Sequence, residues 1–222
     1  QNFINYNLGA LILNHCKMKE QTKIQFYSPT EEKLNIWSHA VGLFLSIVAL
    51  ILLIAKAVQE DNIWMKISFP IFGISLVLLY LASTLYHASK NPEKRFKLKI
   101  FDHAAIYVLI AGTYTPFTLV SLNGKTGWII FFTVWAIAFA GIILKLFFTG
   151  RFKVISTAMY VLMGWIIVFY FKELTANLQS DGVFYLILGG FFYTIGAILY
   201  SIKKIKFNHA IFHFFVLAGS FC

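Results

Sequence analysis

Charge is scarce in this chain. Asp, Glu, Lys and Arg make up 13% of its 222 residues, where a soluble domain carries about 25%, so a water-solvated globule is excluded as the starting point. Acids are the scarcest, nine against nineteen Lys and Arg. A surplus of +10 would point to nucleic acid if the cations were grouped on one surface stretch. They fall instead between apolar runs, and no nucleic-acid partner is expected. Cysteine is nearly missing: Cys16 and Cys222 stand near opposite ends, which excludes a disulfide framework and a CxxC metal signature. The first thirty residues contain no compact apolar core followed by a small-residue cleavage site, so no cleavable signal peptide is expected. Internal repeats and low-complexity tracts are absent from the sequence.

Apolar residues are abundant instead, 59% of the chain, with 18% aromatic. About 20 consecutive apolar residues span a bilayer core, and seven runs approach that length: 37–57, 67–88, 101–121, 128–148, 154–171, 183–202 and 207–222. The last is short and is expected to continue further. Turn signals separate several of them: Asn91-Pro92, Asn123-Gly124, Thr149-Gly150 and Asp181-Gly182. In lipid each backbone polar group must be satisfied within its own segment. The expected fold class is therefore all-α and integral to the membrane, a seven-transmembrane helix bundle. Residues 1–30 read either as an interfacial helix or as a poorly ordered tail, and residues 31–222 as the transmembrane domain. The cations set the orientation. With the N-terminus inside, the cytoplasmic segments hold fifteen of the nineteen Lys and Arg, and the outer ones only Lys56, Lys66, Lys125 and Lys172. The expectation is N-terminus inside, C-terminus outside, with the basic loops acting as topology signals.

Ionisable residues inside the spans are costly and so are functional candidates. His39 opens the first span, His87 closes the second, Asp102 and His103 open the third, and His209 and His213 open the seventh. With the orientation above, all lie at one depth near the cytoplasmic face. His209 and His213 are four residues apart, on one helix face, about 6 Å apart along the axis. That spacing lets two imidazoles hold one metal ion, as in the helical HExxH motif, although the Glu of that motif is absent. The pair also reads as two hydrogen-bonded structural histidines. A zinc site needs a third ligand, for which His87 is the best candidate. Three histidines with one open position match a catalytic zinc site. Asp102 would then act on the zinc-bound water as general base or hydrogen-bond acceptor, and Ser83, one turn before His87, would bond a ligand or that water. Taken singly, Asp102 reads as a first-turn acid and Ser83 as a small packing residue.

The segments EEKLNIWSHAVG, STLYHAS, FDHAAIYVLIAGTYTPF and HAIFHFFVLAGS together resemble the hemolysin III branch of the progestin and adipoQ receptor superfamily, over about Glu31 to Cys222. That superfamily and the related alkaline ceramidases are similar in carrying an intramembrane zinc site on seven helices. The resemblance implies metal ligation by His87, His209 and His213, with Asp102 and Ser83 beside the bound water. It implies a plasma-membrane protein and a zinc-dependent hydrolase of a lipid amide or ester, ceramidase-like, with a membrane lipid or fatty acid as partner. A zinc-stabilised receptor or regulator of lipid homeostasis stands second and a cytolytic pore third. A retinal protein is excluded by the lack of a lysine within the last span. His39, next to Asn35, is expected to make structural hydrogen bonds rather than ligate, His103 to point away from Asp102, and Pro116 to kink its helix. Ala111, Gly112 and Gly141 read as helix contacts, and Trp37, Trp64 and Trp128 as interface anchors.

Overall fold

A computed structural model describes residues 26–148 and 153–222. Residues 1–25, which include Cys16 and most of the N-terminal segment, lie outside the described residues. Those described form seven helices and no strand. They are α1 (Pro29–Gln59), α2 (Ile63–Ala88), α3 (Pro92–Pro116), α4 (Gly124–Phe148), α5 (Lys153–Trp165), α6 (Ser180–Ser201) and α7 (Asn208–Phe221). A π-helical stretch, Phe117–Leu122, extends α3. A 3-10 turn, Ile166–Tyr170, and a last α-turn, Phe171–Thr175, extend α5. Six of these helical stretches are long and apolar enough to cross a membrane, and α7 is 14 residues long. The chain is a multi-pass integral membrane protein.

The starts of the first three helices are written locally. Ser28 caps α1, its hydroxyl accepting from the Glu31 N–H, with Pro29 behind it and Glu31 and Glu32 in the first turn. The side chains of Asn62 and Asn91 cap α2 and α3 in the same way, and Pro92 follows the second. Such caps satisfy N–H groups that a helix cannot satisfy itself. Pro116 has no N–H to donate, and directly beyond it the helix widens into the π-helical stretch. Asn123 (φ 46°) and Gly124 (φ 60°) then turn the chain through the left-handed region, as the Asn-Gly pair foretells.

The helices close into a ring. α1 packs on α2 and α7, α2 on α3, α3 on α4 and α5, and α6 on both α5 and α7. Without water to drive association, helix contact depends on close approach. A Cβ on Gly141 of α4 would lie 2.4 Å from the Tyr107 ring of α3, and one on Gly112 of α3 would lie 2.3 Å from Ser75 Oγ of α2. Tyr107, Ala111 and Tyr114 of α3 pack with Ile130, Val134 and Ala138 of α4 and Met163 of α5. Leu76, Leu79 and Tyr80 of α2 pack with Ala105 and Leu109 of α3 and Val216 of α7. Large apolar side chains such as Phe44, Leu52, Phe132, Phe147 and Phe169 face outward, which suits hydrocarbon rather than water.

Two cations counted as topology signals have other surroundings. Arg95 is 1% exposed. Lys145 is buried on α4, with its Nζ donating to Ser156 Oγ of α5 at 2.6 Å. A basic residue near a span end reads the same in sequence whether it faces a headgroup or a neighbouring helix.

Candidate metal centre

The last two turns of α2, the third turn of α3 and the first two turns of α7 meet at one end of the bundle; α3 starts at Pro92, ten residues before Asp102, so Asp102 is not the first-turn acid that its place in the apolar run suggests. The α2 helix carries Ser83 and His87 there, α3 carries Asp102, and α7 carries His209 and His213. All five are buried. The α7 turn is entered through Phe207 in the left-handed region (φ 57°). Asn208 fixes that entry by donating its side-chain N–H to Tyr200 O of α6 at 2.9 Å.

Three imidazoles converge. Nε2 of His209 lies 3.0 Å from Nε2 of His87 and 3.1 Å from Nε2 of His213. A ligand atom from each of the three falls within 4.8 Å of the others. Four-coordinate zinc with Zn–N bonds of 2.0–2.1 Å holds its ligands about 3.3 Å apart, so the trio has nearly the needed spacing. The hydrogen-bonding chemistry agrees. A neutral imidazole has one N–H and one lone pair, so Nε2 of His209 cannot serve as donor to one neighbour and acceptor from the other. His213 directs its Nδ1 at the backbone oxygen of Asn35 at 3.4 Å. An oxygen only accepts, so the proton belongs on Nδ1 and the Nε2 lone pair faces the other two rings. Ser38 Oγ also lies 3.4 Å from that Nδ1, and since its one proton goes to the Asn35 oxygen at 3.2 Å, it too can only accept there. Converging lone pairs are what a cation satisfies, and the three residues fit a metal ion.

Asp102 is not one of the converging ligands. It lines the cavity beside them, next to Ser83 and within electrostatic reach of His87 and Lys99. Ser83 Oγ is buried with no hydrogen-bond partner of good geometry among the described residues. The two residues expected to serve the chemistry therefore border the trio without closing it. The cavity has a volume of about 1380 Å³ and runs from the histidines past Leu76, Leu109, Phe212 and Val216. Its walls are mainly aliphatic and aromatic.

His39 departs from expectation. Neither ring nitrogen has a hydrogen-bond partner among the described residues. It stacks flat on His213 instead, centroids 3.6 Å apart and planes at 11°, and meets Tyr80 edge-on at 5.0 Å. The hydrogen-bonding role expected of it falls to its neighbours Asn35 and Ser38. His103 is not one of the three ligands. Its carbonyl accepts from the Tyr160 hydroxyl at 3.0 Å.

Two residues around the start of α1 that carry no functional signal in the sequence also reach the trio. Tyr27 stacks on His209, centroids 4.7 Å apart and planes at 16°, and burial pushes its phenol well above the usual value. Glu32 Oε2 lies 2.9 Å from Nδ1 of His87, and the same carboxylate pairs with Arg95. An acid in the first turn of a helix reads as a dipole partner, so nothing in its spacing marks Glu32 as a neighbour of His87, 55 residues away.

Comparison with known proteins gives one answer. The Haemolysin-III related family matches residues 27–222. A protein named Hemolysin-3 homolog from Bacillus subtilis is 48% identical over 190 residues, covering 86% of this chain and 89% of its own length. Hemolysin-3 from Bacillus cereus is 46% identical over 190 residues, covering 86% of this chain and 87% of its own. More distantly, the human Monocyte to macrophage differentiation factor is 28% identical over 202 residues, covering 87% of this chain and 82% of its own. With a family match across the whole described bundle and two relatives near half identity, this chain belongs to the Haemolysin-III related family.

Proposed function

We propose that this protein is an intramembrane zinc-dependent hydrolase that cleaves a lipid amide or ester. The observation that carries the reading is the convergence of three buried imidazole nitrogens, two of them on residues, His209 and His213, that line a large apolar cavity. His87, His209 and His213 would hold the ion, which when bound supplies Lewis acidity toward a carbonyl oxygen and lowers the pKa of water. Asp102 acts as the general base. Its carboxylate takes a proton from the water that attacks the acyl carbon, then returns it to the departing nitrogen or oxygen as the C–N or C–O bond breaks. Ser83 Oγ, beside the Asp102 carboxylate, orients that water or donates to the oxygen of the acyl group. The acyl chain lies along Leu76, Leu109 and Val216, and the apolar walls exclude bulk water. Products are a fatty acid and an amine or alcohol.

The cation distribution supports an N-terminus inside, with the centre in the cytoplasmic half of the bilayer; the proposed location is a plasma membrane. Residues 31–222 act as the metal-binding transmembrane unit, with residues 1–30 as the preceding cytoplasmic segment. A second reading has its own observation: the trio joins α2 to α7, far apart in sequence, so the ion would brace a receptor or regulator of lipid composition without turnover. The relatives named hemolysins raise cytolysis, which the apolar cavity walls do not favour. Asp102→Ala separates the first two readings. A hydrolase loses turnover of ceramide-like or acyl-lipid substrates while keeping its zinc. Lipid hydrolysis that survives in Asp102→Ala would refute the assigned chemistry.

A further inference from the structure

The contacts of His87 are unlike those of the other two histidines. Its Nδ1 faces a carboxylate, Glu32 Oε2, at 2.9 Å, with the Asn35 side-chain amide farther off at 3.4 Å. That carboxylate is held on its other oxygen by the guanidinium of Arg95 and by the backbone N–H of Tyr27 at 3.0 Å. Arg95 in turn donates through Nη1 to the carbonyl oxygens of Tyr86 (3.2 Å), His87 (3.1 Å) and Ser89 (3.1 Å), which close the end of α2. Phe26 and Tyr86 cover the guanidinium at 4.5 and 4.6 Å. One ion pair therefore grips His87 twice, its ring through Glu32 and its backbone through Arg95. The His87 side chain has no exposure, and that of Glu32 only 14%.

We propose that Glu32 is a positioning residue of the metal centre, acting through His87. An ionised carboxylate only accepts hydrogen bonds, so it keeps the proton on Nδ1 and turns the Nε2 lone pair toward His209 and His213. It also fixes the ring plane and makes the ligand more basic, the effect that outer carboxylates exert on metal-bound histidines. Because Arg95 and the Tyr27 N–H lock the carboxylate, the start of α1 and the α2–α3 junction together set the affinity of a site whose ligands lie on α2 and α7. The assignment rests on the metal-centre reading above.

The test is zinc affinity in detergent, read by competition with a chromophoric chelator, for wild type, Glu32→Gln and Glu32→Ala. The melting temperature of each chelator-treated protein records any purely structural loss. Glu32→Ala should bind zinc about 10- to 100-fold more weakly. Glu32→Gln, whose carbonyl oxygen still accepts from Nδ1 but carries no charge, should recover part of that loss. Zinc affinity within twofold of wild type in Glu32→Ala would overturn the proposal even if the melting temperature fell, because Glu32 would then merely pair with Arg95. Equal losses in both variants at unchanged metal-free melting temperatures would support it and assign the effect to the carboxylate's charge. Should Glu32→Ala not fold, Glu32→Gln decides alone: weaker binding at an unchanged metal-free melting temperature supports the role, and binding within twofold of wild type refutes it. A wild type that binds no zinc would defeat the metal-centre reading itself, and this assignment with it.

Discussion

Arg95 offers a test of the packing that needs no metal. Replacing it with Ala removes three hydrogen bonds to the carbonyls that end α2, the ion pair to Glu32 and two ring contacts. It also leaves the Glu32 carboxylate mostly buried without its cation. Breaking a buried pair from one side costs about 3–5 kcal/mol. For a domain of this size each kcal/mol moves the melting temperature by about 2–4 °C, so the expected fall is roughly 6–20 °C. Arg95→Lys should fall between, since one ammonium cannot reproduce the planar fork that reaches three carbonyls and a carboxylate. Lys97, on the same helix with its side chain 67% exposed and paired with Glu93, is the control, and its replacement by Ala should cost at most about 0.5 kcal/mol. The assay is thermal unfolding in detergent with chelator present, so that metal binding cannot contribute. An Arg95→Ala shift no larger than that of Lys97→Ala would refute the claim that this arginine is a structural tie rather than a surface charge.

The remaining predictions concern helix contact and metal. Gly141→Ala places a methyl 2.4 Å from the Tyr107 ring and should destabilise by about 1–3 kcal/mol, whereas Gly190→Ala, whose added carbon meets nothing within 4 Å, should be tolerated; equal losses would show that the α3–α4 contact is looser than described. Zinc at a hundred times its dissociation constant should stabilise the wild type by about 2.7 kcal/mol, a rise in melting temperature of roughly 5–11 °C. A His209→Ala variant should show little of that rise, and a full rise in the variant would place the ion elsewhere.

Much of the architecture is legible in the sequence because the membrane imposes a one-dimensional rule: apolar length gives the spans and short polar breaks give the turns. The Asn123-Gly124 turn and the close approaches at Gly112 and Gly141 follow the same logic. The histidine trio is legible because two ligands share a helical spacing, while the third is found only by reasoning that several termini lie at one depth. What could not be read is what depends on direction around a helix. Lys145 and Arg95 carry the sequence signature of loop cations yet point inward. His39 and Asn35 are four residues apart on one helix, but the backbone oxygen of Asn35, not a ring nitrogen of His39, reaches His213. Glu32 is hidden for a further reason: a carboxylate that orients a ligand from another helix has no characteristic spacing from it.

The central claim is that buried imidazoles at one end of this bundle hold a metal ion, and counting the ion tests it most directly. Elemental analysis of protein purified in detergent without chelators should find about one zinc per chain in the wild type and none in a His209→Ala, His213→Ala double variant. Protein without metal in both forms, or a double variant that keeps its zinc, would contradict the claim.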